Sequence, residues 1–225
     1  QGWVPTFDEA VADVPVKGNQ EGIFGYGYVS GNVSMSNLVS IAGVVATDVT
    51  GVGTARYGVA GCEYGGDKGI FGFGHEEGGD GQVSMTNLVS SSGVVGTDVT
   101  GVGTARHALA ACEYGGDKGI FGFGHAITNV SNLVSNAGVV ATDTTGVGTA
   151  RYQLTACEYG GDKGIFGYGK TPPTAASMSN LVSNSGVVAT DVTGVGTARY
   201  GPMACSYGED KGIFGFGSTT GSKVS

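Results

Sequence analysis

Short apolar runs alternate with small and polar residues along this chain, and each run ends at Gly, Asp, Asn or Ser. In one stretch the runs lie near 56–64, 68–73, 83–89 and 93–97. Runs of Val, Ile, Phe and Tyr bounded by turn residues are typical of β-strands. The Gly-Gly-Asp-Lys segment at 65–68 suits a tight turn, because Gly tolerates positive φ. No segment combines helical periodicity with helix caps, so the pattern predicts four short antiparallel strands and almost no helix.

The same pattern recurs at regular intervals. The string Ile-Phe-Gly-aromatic-Gly begins at Ile23, Ile70, Ile120, Ile165 and Ile213. The spacing of 14 residues from Arg56 to Ile70, and of 19 from Asn37 to Arg56, is the same in each copy that has these residues. We number the copies repeats 1 to 5, at about 9–48, 56–98, 106–143, 151–191 and 199–225. Such units of about 40–50 residues are typical of propeller blades, so we expect one all-β domain over 1–225, a β-propeller of about five four-stranded blades.

Ring closure is expected to depend on the two ends of the chain. In repeat 1 Glu9 stands at the position of the Arg, and 9–16 and 21–26 are expected to form the first two strands. Repeat 5 ends in a short strand at 222–225 and has no segment for a fourth strand. The N-terminal segment 2–6 could supply that strand, which would remove an unpaired sheet edge. A larger ring, or one completed by another chain, stays open if the sequence is a fragment.

The repeat resembles the kelch repeat, in which an Arg opens the innermost strand and an apolar second strand ends in a Gly pair. Arg56, Ile70-Phe71-Gly72-Phe73-Gly74, Leu88-Val89 and Val94-Val95 follow the kelch order. Two features depart from kelch: an aromatic residue splits the Gly pair, and the late Trp is missing, since Trp3 is the only Trp. The sequence is also similar to Gly-rich repeat proteins of marine tailed bacteriophages, which implies a virion or virus-encoded surface protein.

Composition narrows the class of protein. The chain has 45 Gly without a Gly-X-Y period, 13% charged residues, 40% hydrophobic residues and a net charge of −8. Low charge with this hydrophobic content favours a folded chain. Nucleic acid is not an expected partner, because its binding requires clustered Lys and Arg. No apolar run approaches the roughly 18 residues of a membrane-spanning helix, so no membrane insertion is expected.

One segment of the repeat differs in length and sequence between copies. The spacings are 10, 13, 8 and 11 residues for Gly27–Asn37, Gly74–Asn87, Gly124–Asn132 and Gly169–Asn180. Connectivity places these variable loops on the same face as the connection 97–105. Variable surface loops often carry binding residues, although drift in unconstrained loops explains the variation equally well. The candidate ligand-binding residues are Tyr28, Asn32, His75, Glu76, Glu77, Asp80, His125 and Lys170.

A recurring Arg is expected at the start of each innermost strand, near the channel mouth on that face. These residues are Arg56, Arg106, Arg151 and Arg199, and an Asp precedes each by eight residues: Asp48, Asp98, Asp143 and Asp191. Four guanidinium groups could bind a carboxylate or an anionic sugar. We favour a structural role in which each Arg pairs with the Asp before it. The Asp-Lys pairs, such as 67–68, are expected to be solvated turn residues on the opposite face.

Neither the cysteines nor the histidines indicate an enzyme. Cys62, Cys112, Cys157 and Cys205 stand at equivalent positions, too far apart for disulfides, and are expected to be free and buried. A four-Cys zinc site is not favoured, because Cys-x₂-Cys spacing is absent. His75 and His125 are weak metal or base candidates, and His107 replaces a Tyr of other repeats. The recurring Thr-Gly-Val-Gly-Thr-Ala-Arg lacks the Lys of a phosphate-binding loop. We therefore expect no catalytic residue, no cofactor and no metal.

Two functions from different classes fit these observations. The first is a binding module, such as the head of a tail fibre on a virion or extracellular surface, that recognises a host-surface glycan or receptor through the variable loops. The second is a structural decoration or assembly subunit that docks on other virion proteins. An intracellular kelch-type adaptor and a homo-oligomer are also compatible with the fold, since fold alone does not decide function.

Overall fold

The computed structural model describes residues 21–77 and 81–220, and in this part of the chain every regular element is a β-strand. The strands are β1 (Gly22–Tyr28), β2 (Asn32–Val39), β3 (Ala60–Tyr64), β4 (Lys68–His75), β5 (Gln82–Val89), β6 (Ala110–Tyr114), β7 (Lys118–Gly122), β8 (Ser131–Val134), β9 (Thr155–Tyr159), β10 (Lys163–Gly167), β11 (Lys170–Thr171), β12 (Thr174–Ala175), β13 (Ser179–Val182), β14 (Met203–Tyr207) and β15 (Lys211–Gly215). The all-β prediction is confirmed. Within the described ranges, no helix is long and apolar enough to cross a membrane.

Each repeat folds into a small antiparallel sheet in which the Ile-Phe-Gly strand is central. Repeats 2, 3 and 4 form the sheets β3-β4-β5, β6-β7-β8 and β9-β10-β13, and repeats 1 and 5 show β1-β2 and β14-β15. A separate hairpin, β11-β12, lies in the variable loop of repeat 4. The expected strands at 9–16 and 222–225, and the closing strand at 2–6, lie outside the described residues.

The fourth strand expected near 93–97 is not formed as a strand. Only isolated bridges join this segment to β5, between Val89 and Val95 and between Thr86 and Val99. The reason is that the Asn87 side chain donates to the carbonyl of Gly96 at 3.0 Å, in the place of a backbone ladder bond. In repeats 2 to 4 the sheet therefore has three strands and a bridged outer segment.

Successive sheets pack through residues on opposite faces of the central strand, as the alternation predicts. Ile70 is 1% exposed and lies in a core cluster with Leu109 and Val134 of repeat 3. The next residue, Phe71, points the other way and lies against Gly25 of repeat 1. The innermost strands β3, β6, β9 and β14 lie side by side and together line a cleft of about 260 Å³.

The first Gly of the Gly-aromatic-Gly string is required by this packing in repeats 2 to 4. A Cβ on Gly72 would lie 2.7 Å from the phenyl ring of Phe121 in the next repeat. The same geometry recurs between Gly122 and Phe166, at 2.6 Å. Since side chains do not approach this closely, a larger residue would push the two sheets apart.

The aromatic residue between the two glycines adopts a left-handed conformation. Phe73 has φ 62° and Gly74 has φ 120°, and the pairing of β4 with β5 shifts between Gly72 and Gly74. The same register shift occurs at Tyr26, between Gly25 and Gly27. The left-handed backbone recurs at Tyr26, Phe123, Tyr168 and Phe216, all with φ between 60° and 63°. A bulge re-aims a side chain, and here it turns the aromatic ring toward the Arg of the following repeat.

Candidate functional site

The recurring Arg is the centre of a buried hydrogen-bond network within its own repeat. Arg56 is 0% exposed, and its guanidinium donates to the carbonyls of Phe73 (Nε, 2.8 Å) and Thr54 (3.0 Å) and to Asn87 Oδ1 (2.5 Å). Arg106 makes the same three bonds with Phe123, Thr104 and Asn132, and Arg151 makes them with Tyr168, Thr149 and Asn180. Buried charges need such partners, so the network explains why Arg and Asn recur together.

The Asp that completes the network is not the one expected. Asp98 accepts from Asn87 at 2.9 Å and from the Thr54 backbone at 3.0 Å, and its Oδ1 lies 3.7 Å from an Arg56 nitrogen. Burial raises the pKa of the Asp98 carboxyl, but the hydrogen bonds from Asn87 and Thr54 and the charge of Arg56 outweigh it, so the pKa lies below its ordinary value. Asp143 and Asp191 have the same environment beside Arg106 and Arg151.

The predicted pairing of each Arg with the Asp eight residues before it is therefore wrong. The chain crosses from one repeat to the next between these two residues, so the Asp belongs to the preceding sheet. Asp48, for example, accepts from Asn37 at 2.8 Å in repeat 1. Arg56 instead lies beside Asp98, at the outer edge of its own sheet.

Each buried guanidinium is also covered by an aromatic ring of the preceding repeat, a contact that sequence reasoning missed. Arg106 stacks on Phe73 with 4.1 Å from the guanidinium carbon to the ring centroid. Arg56, Arg151 and Arg199 stack in the same way on Tyr26, Phe123 and Tyr168. Burial lowers the pKa of Arg106 to about 10, against the opposing charge of Asp143. The alternative role for these Arg side chains, binding a carboxylate or anionic sugar, is wrong for Arg56, Arg106 and Arg151, because all three are fully buried.

Repeat 5 keeps only part of the network. Arg199 stacks on Tyr168 and donates to the Phe214 carbonyl at 3.3 Å, but its buried Nε has no partner among the described residues. The network is thus complete in repeats 2 to 4 and incomplete in repeat 5.

A row of Tyr and His rings runs across the repeats beside the variable loops. We call this set the Tyr/His row; its members, in order, are Tyr28, Tyr57, His75, His107, His125 and Tyr152. Neighbouring ring centroids lie 6.1, 5.0, 5.1, 4.6 and 4.9 Å apart. The row forms because the residue after each Arg pairs with the residue after each Gly-aromatic-Gly, as in the bridges Tyr57–His75 and His107–His125. The equal spacing of these two positions in every repeat is the sequence signal that could have predicted it.

All three His residues of the chain lie next to each other in this row. The Nδ1 atoms of His75, His107 and His125 are buried and have no hydrogen-bond partner among the described residues. Burial, and then the charges of His125 and His75, lower the pKa of His107 to about 4. No group of three His, Cys, Asp or Glu among the described residues is arranged to hold a metal ion.

The structure brings several of the predicted loop residues together. Asn32 in the loop of repeat 1 donates from Nδ2 to the His75 carbonyl at 3.0 Å, and its backbone amide faces Glu77 at 3.4 Å. Glu76 donates its backbone amide to the carbonyl of Gly81 at 2.6 Å, within the loop of repeat 2. Asp80 lies outside the described residues.

The two ends of the row carry further predicted residues. Tyr28 begins it and is 64% exposed. Lys170 pairs its backbone with Tyr152 and places its ammonium 5.2 Å from the Tyr200 ring, in the position that His75 and His125 hold in their repeats. The variable loops of repeats 1 to 4 and the row therefore form one surface, which we call the variable face.

The opposite face is built from turns that repeat almost unchanged. Asp67 and Lys68 form an ion pair of 2.7 Å, with both side chains partly exposed, as expected for turn residues. The turns also join repeats, since Gly65 of repeat 2 donates to the Asp117 carbonyl of repeat 3 at 2.7 Å. Within repeat 3, Asn136 donates to the Asp117 side chain at 3.1 Å. These contacts are structural, which adds a role that the sequence did not indicate.

The four cysteines are free, as predicted. The Cys62 sulfur is enclosed where a Cβ on Gly119 of the next repeat would lie 2.6 Å away, and burial raises the pKa of the Cys62 thiol to about 12. The sulfurs of Cys112 and Cys157 face Gly164 and Gly212 in the same way, and both residues are buried, whereas Cys62 is half-buried. The prediction of burial is wrong for Cys205, which is exposed because none of the described residues packs on that side of repeat 5 as another repeat does on Cys112.

A comparison with protein-family models gives no match to this chain. A comparison with curated proteins gives no match either.

Proposed function

We propose that this chain is a non-catalytic binding protein whose recognition surface is the variable face. The observation that supports it is the division of each repeat into two parts. The Arg networks and the opposite turns make the same contacts in successive repeats, whereas loops of different length and chemistry are grouped beside the Tyr/His row. Variation confined to one side of a rigid scaffold is the usual arrangement of a binding surface.

The chemistry of the variable face fits a polar ligand with apolar patches, such as a host-surface glycan or a glycosylated receptor. Tyr rings offer an apolar body with a polar tip, and Tyr28 is exposed at the end of the row. The loops add the amide of Asn32, the carboxylates of Glu76 and Glu77 and the ammonium of Lys170. Weak affinity per site would be amplified by display of many copies on a virion or extracellular surface.

We further propose that the five repeats close into a propeller. The interfaces between successive repeats, which we call seams, share one contact. In it a Phe of one repeat packs on a Gly of the repeat before it, as Phe121 packs on Gly72. None of the described side chains lies near the Cβ position of Gly215 in repeat 5, and Phe24 of repeat 1 is 64% exposed, so these two repeats carry the two halves of that contact. Met203 of repeat 5 lines the same cleft of about 680 Å³ as Phe24 and Ile70. Proximity of the two complementary ends supports closure within one chain.

A glycan and host-cell binding screen on the intact chain tests the binding function. In the test variant, the loops 28–32, 75–82, 125–128 and 170–175 are replaced by Gly-Ser. We expect the intact chain to bind and the variant to lose binding at least tenfold while keeping its thermal unfolding temperature. Single substitutions Tyr28→Ala and Lys170→Ala then locate the contact.

The chain offers a matched control on the opposite face. Ser91→Asn with Ser92→Ala converts the turn of repeat 2 to the Asn136-Ala137 turn of repeat 3. This control should bind like the intact chain. Equal loss of binding in the control and in the loop variant, or no binding by the intact chain to any glycan or cell, would contradict the proposal.

An assembly role is the second candidate, and one observation favours it. Val44, Val94, Val139 and Val187 occupy equivalent positions after the third-strand turn and are 63% to 65% exposed. Exposed apolar residues in a regular series are typical of protein–protein contacts. Co-purification with a neighbouring virion protein that is lost in a Val94→Ser, Val139→Ser double variant, but not in the loop variant, would favour this function over glycan recognition.

A further inference from the structure

The three histidines form the only part of the Tyr/His row in which adjacent rings can all become charged. Their centroids lie 5.1 Å (His75–His107) and 4.6 Å (His107–His125) apart. In the other repeats the positions equivalent to His107 hold Tyr57, Tyr152 and Tyr200, which stay neutral at acidic pH. The seam between repeats 2 and 3 therefore differs chemically from the others.

The rings of His75, His107 and His125 pack against one another, and no described residue bonds to their buried Nδ1 atoms. A proton added at the Nδ1 of His107 therefore creates a buried N–H donor with no acceptor in the described part of the chain. A buried polar group without a partner is unfavourable, and a second charge about 5 Å away adds repulsion. The low pKa of His107 is consistent with this geometry.

The groups that face the triplet do not compensate such a charge. Tyr57 packs against His75 and His107, and Tyr152 packs against His125. Arg106 precedes His107, but its guanidinium is bonded to Phe123, Thr104 and Asn132, and the ammonium of Lys170 lies over the Tyr200 ring. Glu76 and Glu77 follow His75, but the effect on His107 comes from burial and from the other two His rings.

We propose that the His75–His107–His125 triplet is a protonation switch that loosens the variable face between repeats 2 and 3 as the pH falls below about 6. His is the side chain whose charge changes in this range. In the unfolded or locally open state His107 titrates near its ordinary pKa of about 6.5, whereas in the packed state it stays neutral until about pH 4. Between these values protonation stabilises the open state, so local stability falls on acidification.

Five backbone hydrogen bonds across the triplet report the opening. Tyr57 and His75 exchange two bonds, His125 donates to His107, Ala108 donates to Gly58, and Gln153 donates to Ala108, at 2.7 to 3.0 Å. On the opposite face, the amides of Gly65 and Gly115 donate across seams at 2.7 Å and serve as internal controls. Hydrogen exchange of the intact chain at pH 7.5 and 5.0, corrected for intrinsic exchange rates, measures both sets at once.

The chain itself supplies the test variants. His107→Tyr restores the residue of repeats 2, 4 and 5, and His125→Tyr introduces the residue that Tyr28 supplies in repeat 1. We expect the five reporter amides of the natural chain to exchange on the order of tenfold faster at pH 5.0 than at pH 7.5, and both variants to lose most of this change. Tyr152→His, which extends the triplet, should enlarge it.

Two results would overturn the inference. One is the same pH response in the natural chain and in both Tyr variants. The other is an increase of exchange that affects Gly65 and Gly115 as strongly as the reporter amides. The inference rests on the proposed function for its consequence, release of a bound ligand at low pH, but the exchange experiment contains no ligand. Failure of the switch is therefore distinguishable from failure of the binding proposal.

Discussion

Repeats 3 and 5 have almost the same central strand, yet their side chains have opposite surroundings. In repeat 3, Ile120, Phe121 and Phe123 are 0%, 0% and 1% exposed. In repeat 5 the equivalents Ile213 and Phe216 are 53% and 69% exposed. The difference follows from neighbours, since repeat 3 is packed on both faces and repeat 5 on one.

This comparison shows that the unit of stability is the seam between repeats. A repeat cannot bury its own faces, so the stability of an array is approximately a sum of repeat and nearest-neighbour terms. Equivalent substitutions in central and end repeats should therefore change the free energy of unfolding by different amounts. The difference between the two changes measures how much packing at a seam contributes to stability. A residue of a central repeat and its equivalent in repeat 1 or 5 therefore form a matched pair for substitution.

The largest effect is expected from the buried Arg. Arg106→Met removes the donor for Asn132 Oδ1 and two carbonyls, and should lower the free energy of unfolding by about 3–5 kcal/mol. Arg199→Met, where the network is incomplete, should cost about 1 kcal/mol. Urea unfolding followed by far-UV circular dichroism measures both. Equal losses of stability in the two variants would show that the contribution of the Arg does not depend on burial in a complete network.

The next comparison tests ring closure. Phe121→Ala should lower the free energy of unfolding by about 3–5 kcal/mol, because it leaves a cavity against Gly72. Phe24→Ala would change it by less than about 0.5 kcal/mol if Phe24 stayed exposed. Since we propose that Phe24 packs on Gly215 in the closed ring, we expect a loss above about 1 kcal/mol, measured by the same unfolding experiment. A neutral Phe24→Ala variant would contradict closure through this contact.

Substitutions of the Gly residues test the same Phe–Gly contacts between repeats. Gly122→Ala places a Cβ 2.6 Å from the Phe166 ring and should cost about 1–3 kcal/mol through overpacking. No described atom lies near the Cβ position of Gly215, but since we propose that Phe24 packs there in the closed ring, Gly215→Ala should also cost about 1–3 kcal/mol. Thermal unfolding of the two variants beside the Phe24 variant checks whether Gly215 and Phe24 act as a pair. A neutral Gly215→Ala variant would contradict the pairing of Gly215 with Phe24.

The smallest effect on stability is expected for the Asp143 carboxyl at acidic pH. The pKa of the Asp143 carboxyl is lowered in the folded chain, so its stabilisation is present above its unfolded pKa of about 4 and is lost as the pH falls through the folded value. Asp143→Asn should cost about 1 kcal/mol at pH 7 and flatten the stability profile below pH 4. Asp48→Asn, at the exposed position of repeat 1 beside Asn37, should be nearly neutral. Unfolding midpoints between pH 7 and 3 provide the test, and identical profiles for the two variants would contradict it.

The repeat, the positions of the first three strands of a unit and the difference between variable and constant loops could be predicted from sequence, because each depends on local residue type and spacing. The order Ile70-Phe71 by itself indicates that both faces of the strand carry a bulky group, since successive strand residues point to opposite sides. The grouping of the variable loops on one face was predicted from connectivity. Free cysteines at equivalent positions followed from the same reasoning.

Other features were decided by contacts between residues far apart in the chain. The carboxylate beside Arg56 is Asp98 rather than Asp48, because the sheet brings its outer segment back over its first strand. The exposure of Cys205 and the burial of Cys112 follow from the presence or absence of a neighbouring repeat. The meeting of His75, His107 and His125 depends on two strand positions in adjacent repeats, which no local pattern specifies.

The sequence by itself thus determined what each unit is, because hydrogen bonding and side-chain alternation act over a few residues. The tertiary structure alone decided which units share a seam, which Asp lies beside each Arg, and which rings are in contact. Those outcomes depend on packing across repeats, where a Phe of one copy fills the space that a Gly of another leaves.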